Sequence, residues 1–310
     1  MKKILVTGWA WFIWSHLCKR LLDEWNEVIC LDNLFTWRKK NISEFFSNNR
    51  FSFILHDITT PFRMQVDEIY NLACPASPVY YQKNPVETMK SSVLWAMNML
   101  DLALKTKAKI LQASTSEVYW DPQQHPQSES YWGNVNPVWK RSCYDEWKRC
   151  AETLFMDYHS QYWVETKIIR IFNTYWPNMN PDDWRVISNI IMQILKGENI
   201  TIYWNWNQTR SFQYIDDLVE WMIRMMNCDW FTWPVNIWTN EEFTINELSS
   251  VILDLIPESK SKIVYSQLPS DDPMRRKADN LLAQANLLWK PSVSLIEWLK
   301  KTIEYFKLEL

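Results

Sequence analysis

The sequence predicts an α/β protein with a doubly wound parallel sheet and a smaller C-terminal lobe. Three observations carry that expectation. Apolar, β-branched runs alternate with amphipathic helical patterns through the first half, so helical crossovers join parallel strands. The first strand passes through a turn straight into a helix, the usual opening of such a sheet. After residue 172 the alternation gives way to irregular, aromatic-rich stretches with further helices, which fits a second lobe packed on the first.

The predicted strands are KILVT (3–7), EVICL (27–31), FSFIL (51–55), EIYNLA (68–73), KILQAST (109–115) and TKIIRIF (166–172). Helical periodicity covers about 12–25, 86–106 and 142–161, then 186–196, 216–227, 245–256 and 294–307. Two of these helices open on capping boxes, Thr244-Ile-Asn-Glu247 and Ser294-Leu-Ile-Glu297. No repeats, linkers or low-complexity tracts interrupt the 310 residues.

Bulk properties exclude several classes. A formal net charge of −3 argues against a nucleic-acid partner. Six scattered cysteines and four distant histidines form no metal-ligand spacing, and free thiols suit a reducing, cytoplasmic setting. The opening Met1-Lys2-Lys3 and ILVTGWAWFIW imitate a secretory signal. No small-residue cleavage site follows, however, and the run continues into an amphipathic helix. It is also too short to span a bilayer, so a soluble protein is expected.

One abnormality stands out in the composition. Ordinary usage, roughly 7% glycine, would give about 22 glycines in this length. The chain has 3 glycines and 21 tryptophans. The tryptophans sit at turns (Trp120, Trp176, Trp184, Trp204, Trp206) and after helical runs (Trp25, Trp163), where glycine's freedom at positive φ is wanted. Most of them are therefore read as occupants of glycine sites; Trp132 and Trp230 read as ordinary tryptophans.

Several motifs bear chemistry. The turn TGWAWFIWSH, after strand one, lies where a pyrophosphate meets a helix N-terminus. Asp32 ends strand two, where a carboxylate holds a ribose diol and disfavours a 2′-phosphate, although Arg38, Lys39 and Lys40 follow closely. His56-Asp57-Ile58, after strand three, is placed for an adenine edge. Tyr144 and Lys148 stand four apart on one helix face, and a lysine ammonium beside a phenol favours the phenolate. Ser114-Thr115-Ser116-Glu117 ends strand five, bringing hydroxyls and a carboxylate to the edge where parallel sheets gather ligands.

In this order, the motifs resemble the extended short-chain dehydrogenase/reductase family of Rossmann-fold enzymes, and within it the UDP-glucuronate decarboxylases. The resemblance runs the length of the chain. It is carried by LDNLFTWRKKN (31–41), ACPASPVYYQKNPVETMK (73–90), STSEVYWDPQQHPQSESYWGNVNP (114–137), RSCYDEWKRCAET (141–153), RIFNTYWPNM (170–179), QTRSFQY (208–214) and DDPMRRKAD (271–279). Related 4,6-dehydratases carry an Asp-Glu pair where this chain has Ser116-Glu117, and 4-epimerases lack the glutamate.

The resemblance implies an NAD-dependent conversion of UDP-glucuronate to UDP-xylose through a 4-keto intermediate. It makes Tyr144 the base, with Lys148 on the nicotinamide ribose and lowering the phenol pKa. Thr115 and Ser116 would meet the reacting oxygen, and Glu117 and Arg276 would manage the carboxylate and the later protonation. Cofactor contacts are implied for Gly8, Trp11, Phe12, Ile13, Asp32, Asn33, Phe35, Thr36, Asp57, Ile58, Leu72, Ala73 and Thr174. Lys90, Asn173, Arg185, Tyr203, Arg210 and Arg276 would hold the UDP-sugar. Residues 1–172 with about 209–243 would form the NAD-binding domain, 173–208 and 244–310 the sugar lobe, and the whole a homodimer. Other sugar-nucleotide chemistry (4,6-dehydration or 4-epimerisation) and a non-catalytic aromatic sugar binder are the alternatives.

The tryptophans are the chain's departure from that family. An indole in the pyrophosphate turn fills space a phosphate needs. A left-handed conformation costs a non-glycine residue roughly 1–2 kcal/mol, and many such sites exceed an ordinary stability margin. The chain as written is therefore expected to fold poorly and to bind NAD weakly.

Overall fold

The computed structural model describes residues 1–310 except 9–11, 34–43, 58, 75–80, 173, 176–185, 204–208, 240, 267–274 and 309. For Phe12, Tyr175, Tyr203, Arg210, Arg275 and Arg276 it describes the backbone alone. Six early strands alternate with helices: β1 (Lys3–Thr7), β2 (Glu27–Asp32), β3 (Phe51–Leu55), β4 (Glu68–Asn71), β5 (Lys109–Thr115) and β6 (Thr166–Ile171). Helix α1 (Phe12–Asp23) follows β1, α2 (Pro85–Thr106) follows β4, and α3 (Ser142–Tyr162) precedes β6.

The second half holds β7 (Thr174–Tyr175), α4 (Val186–Leu195), β8 (Ile200–Tyr203), β9 (Thr209–Arg210), β10 (Gln213–Tyr214), α5 (Ile215–Met226) and β11 (Val235–Ile237). Then come β12 (Phe243–Thr244), α6 (Ile245–Asp254), β13 (Ile263–Ser266), β14 (Arg275–Arg276), α7 (Leu281–Leu287) and α8 (Leu295–Lys307).

The main sheet has the order β3-β2-β1-β4-β5-β6-β11, and every pairing in it is parallel. Chain order reverses between β1 and β4, which opens a crevice at their carboxyl ends. Both faces are covered, as the all-apolar strands require. Ile4 and Val6 of β1 join a core with Leu17, Leu21, Trp221 and Met222, under α1 and α5. Leu5, pointing the other way, joins Met99, Leu100, Ala151 and Phe155, under α2 and α3.

The remaining strands make small sheets: β7 beside β10, β8 beside β13, and β9 between β12 and β14. Helices α4, α6 and α8 pack on one another through Ile187, Ile191, Leu248, Ile252 and Leu299, continuous with the first core.

The fold class is as expected, with local differences. Strand four stops at Asn71, so Leu72 and Ala73 leave the ladder towards the crevice. Helix α1 stops at Asp23, and Trp25 beyond it takes φ +64°. The three-residue β11 and seven-residue α7 escaped periodicity because each is too short to repeat. Thr244 and Glu247 close both hydrogen bonds of their capping box, whereas Ser294 accepts from the Glu297 N–H without the reciprocal bond. Trp120 and Trp163 also lie at positive φ, +48° and +60°, as glycine sites would. Trp14 does not: it sits inside α1, buried edge-on against Phe45 and Phe51. Trp9, Trp11 and Trp176 fall outside the described residues. Among the described residues no helix is long and apolar enough to cross a membrane.

Candidate active site

The carboxyl end of β5 and the first turns of α3 build the site. Strand β5 is buried along its length and ends in a 3-10 turn, Ser116–Val118, so Thr115, Ser116 and Glu117 arrive together and nearly inaccessible. The Glu117 N–H donates to Thr115 Oγ1 at 3.3 Å, which fixes that hydroxyl. Helix α3 presents Tyr144 and Lys148 on its sheet-facing side, both buried. The Lys148 ammonium donates to the Ala113 carbonyl at 2.5 Å and lies 5.8 Å from the Tyr144 ring centre. The Thr115 side chain is close enough to Tyr144 to pull its phenol down.

Burial governs the electrostatics. It pushes the Tyr144 phenol well above its ordinary value near 10; Cys74, Glu117 and Tyr81 add to the rise, and the Thr115 side chain opposes it. Burial also lowers the Lys148 ammonium, against the pull of Cys74 and Glu152. Burial is the largest influence on the phenol here, and Lys148 is not among the groups that shift it.

Three neighbours carried no signal that spacing could read. Tyr81 stacks on Tyr144, with centroids 4.8 Å apart at 17°. Arg141, at the N-cap of α3, donates to Glu117 Oε2 at 3.2 Å and lies 4.5 Å over the Trp120 ring. Cys74, just past β4, lies beside Lys148 and raises its proton affinity. All three lie inside stretches that carry the family resemblance, Cys74 and Tyr81 in 73–90 and Arg141 in 141–153, but nothing in their spacing marks their contacts.

The other expected residues fall into three groups. Gly8, Asp32, Asn33, Leu72 and Ala73 gather at the ends of β1, β2 and β4, beside the crevice, and Ile13 opens α1. Asp57 caps its own loop, accepting from the Thr59 N–H and hydroxyl at 3.0 and 2.8 Å. Thr174 donates to the Phe172 carbonyl in β7. Lys90 is exposed on α2, on a groove of about 610 Å³ that Met89, Pro137, Cys143 and Glu146 also line. For Phe12, Tyr203, Arg210 and Arg276 the backbone alone is described; Arg276 pairs with Arg210 across β14 and β9. Trp11, Phe35, Thr36, Ile58, Asn173 and Arg185 lie outside the described residues. Among the described residues no cluster of His, Cys, Asp or Glu is placed to hold a metal ion.

The described part of the crevice fits a dinucleotide. Gly8 has φ +85°, and a Cβ on it would stand 2.2 Å from the Ala73 Cα, so only glycine lets the turn close over β4. Helix α1 begins four residues on, and Asp32 sits buried at the end of the neighbouring strand.

Comparison with known proteins agrees with this geometry. The family model described as GDP-mannose 4,6 dehydratase matches residues 5–302. UDP-glucuronic acid decarboxylase 6 of Arabidopsis thaliana is 51% identical over 310 residues, covering 99% of this chain and 90% of the relative. UDP-glucuronic acid decarboxylase 1 of Danio rerio is 46% identical over all of this chain and 73% of its own. Among solved structures, a Methanobrevibacter ruminantium UDP-N-acetylglucosamine 4-epimerase superposes with a TM-score of 0.91 at 25% identity, over 100% of this chain and 99% of the other. The Bacillus cereus UDP-glucuronic acid 4-epimerase, in complex with UDP-glucuronic acid and NAD, gives 0.88 at 27%, over 99% and 100%.

Proposed function

This chain belongs to the GDP-mannose 4,6 dehydratase family, and we propose that it decarboxylates UDP-glucuronate to UDP-xylose with NAD as its cofactor. The observation that carries this reading is the convergence of Thr115, Ser116 and Glu117 with Tyr144, Lys148 and Arg141 at the end of β5. Gly8, Ala73 and Asp32 would hold the dinucleotide, and Lys148 its nicotinamide ribose. Bound there, NAD supplies a reversible acceptor for the hydride at C4.

Tyr144 removes the proton of the sugar 4-hydroxyl, while Thr115, beside that phenol, orients the reacting oxygen. The 4-keto sugar is a β-keto acid, so the electrons left by departing carbon dioxide delocalise onto the ketone oxygen. Stacking of Tyr81 on Tyr144 keeps water from the phenol. Arg141 bonds Glu117 Oε2 and so fixes the direction of the group that would manage the sugar carboxylate and the later protonation. Arg210 and Arg276, on adjacent strands, are the cations for the diphosphate and the sugar carboxylate. Overall the reaction is redox-neutral.

The reading includes a cytoplasmic homodimer. Six free thiols suit a reducing compartment, and α2 leaves Leu94, Met97 and Leu104 exposed on one helix face. The function is tested by incubating the protein with UDP-glucuronate and NAD⁺. Carbon dioxide and a UDP-pentose are the expected products; a UDP-hexuronate epimer, or turnover of UDP-glucuronate without release of carbon dioxide, would overturn the reading.

A further inference from the structure

A buried chain of hydrogen bonds leads from the site to the strand that carries Arg276. Ser114 donates to Glu152 at 2.5 Å, and Arg170 grips the same carboxylate at 2.9 and 2.7 Å. Arg170 also donates to the Tyr119 hydroxyl at 2.6 Å, and Tyr119 donates to Asn236 Oδ1 at 2.8 Å. The Asn236 carboxamide then donates to the carbonyls of Gln127 and Asp279, at 2.9 and 3.1 Å. Gln127 is itself paired with 277–279: its N–H donates to the Lys277 carbonyl, and its own carbonyl accepts from the Asp279 N–H. Asn236 is wholly buried, and β14 ends one residue before this pairing begins.

We propose that Asn236 is a positioning residue: its carboxamide clamps the 127 and 277–279 segments to the sheet and so sets where β14 places Arg276. This rests on the decarboxylase reading. No apolar isostere can replace it, because the Asp279 carbonyl would lose its donor and the Tyr119 hydroxyl its acceptor inside the core. The test joins hydrogen exchange to a double-mutant cycle, using Asn236→Leu and, as a milder variant, Tyr119→Phe. Amides of 275–279 should exchange faster in both variants, while those of 142–150 keep their protection. Carbon dioxide release should fall about ten-fold in Asn236→Leu, and under two-fold when Arg276→Ala is already present. Unchanged exchange at 275–279, or equal losses in the two backgrounds, would refute the clamp. Faster exchange in a protein whose parent form releases no carbon dioxide would refute the functional reading alone.

The tryptophans carry a second, independent inference. Eight described residues have positive φ; three are the chain's only glycines, and three are Trp25, Trp120 and Trp163. Four more, Trp95, Trp147, Trp221 and Trp238, are buried with indole N–H groups that meet no acceptor. Backbone conformation in one set and orphaned donors in the other point to the same residue. Glycine enters positive φ freely and brings no side-chain donor to bury. We infer that the polypeptide made in its own cell carries glycine at these seven positions. Peptide masses of the protein isolated from its source decide the matter. Glycine is expected at all seven, with tryptophan kept at Trp132, which is exposed and outside the left-handed region. Tryptophan in the seven peptides would overturn the inference.

Discussion

The two ends of helix α3 make opposite demands on the chain. At its start Tyr144 and Lys148 are buried against β5, and the cost of desolvating them tunes their proton affinities. At its finish Trp163 is 82% exposed in a left-handed cap, its N–H bonded to the His159 carbonyl. The first end depends on what the side chain is; the second depends on what the backbone must do. One helix therefore separates a functional constraint from a conformational one, and substitutions at each end should register in different measurements.

The largest effect is expected from Tyr144→Phe, which removes the base and keeps the ring stack on Tyr81. Turnover should fall about 10²–10⁴-fold with little change in melting temperature. A parallel loss of stability would show that the phenol is structural.

Lys148→Met should also abolish turnover yet raise the melting temperature at neutral pH. The folded-state pKa of Lys148 is lowered, so folding opposes protonation and the buried ammonium destabilises the native chain below that pKa. The penalty fades as pH rises from the folded value towards the unfolded one. Parent stability should accordingly gain on Lys148→Met at alkaline pH, as paired denaturation curves would reveal.

A smaller shift is expected from Thr115→Val. It removes the hydroxyl that pulls the Tyr144 phenol down, so the rising limb of the pH–rate profile should move to higher pH. An unmoved limb would mean that the phenol's titration does not govern the rate.

Trp163→Gly should act on stability alone, by about 1 kcal/mol. Relief of the left-handed strain exceeds glycine's extra unfolded-state entropy. Denaturant midpoints check this, with Trp132→Gly as the neutral comparison.

Much of this molecule was legible in the sequence because its signals are local. Six strands and seven helices announce themselves by periodicity, and Tyr144 and Lys148 share a face because a helix repeats every 3.6 residues. Trp25, Trp120 and Trp163 betrayed their backbone by their neighbours, whereas Trp14 lies inside α1 with its indole edge-on to two phenylalanines, a contact only the fold shows. Strand β11 and helix α7 are too short to have a period.

By itself the sequence determined the alternation that makes the sheet parallel and the family, and it singled out Thr115–Glu117 and Tyr144–Lys148 as candidates. Only the tertiary structure decided that burial would push the Tyr144 phenol up. It alone placed Arg141 on Glu117 and Tyr81 on Tyr144, and ran a polar chain from Ser114 to Asp279. The physical reason is distance along the chain. Periodicity and spacing report contacts a few residues apart, whereas desolvation and long-range hydrogen bonds depend on which distant segments the fold brings together.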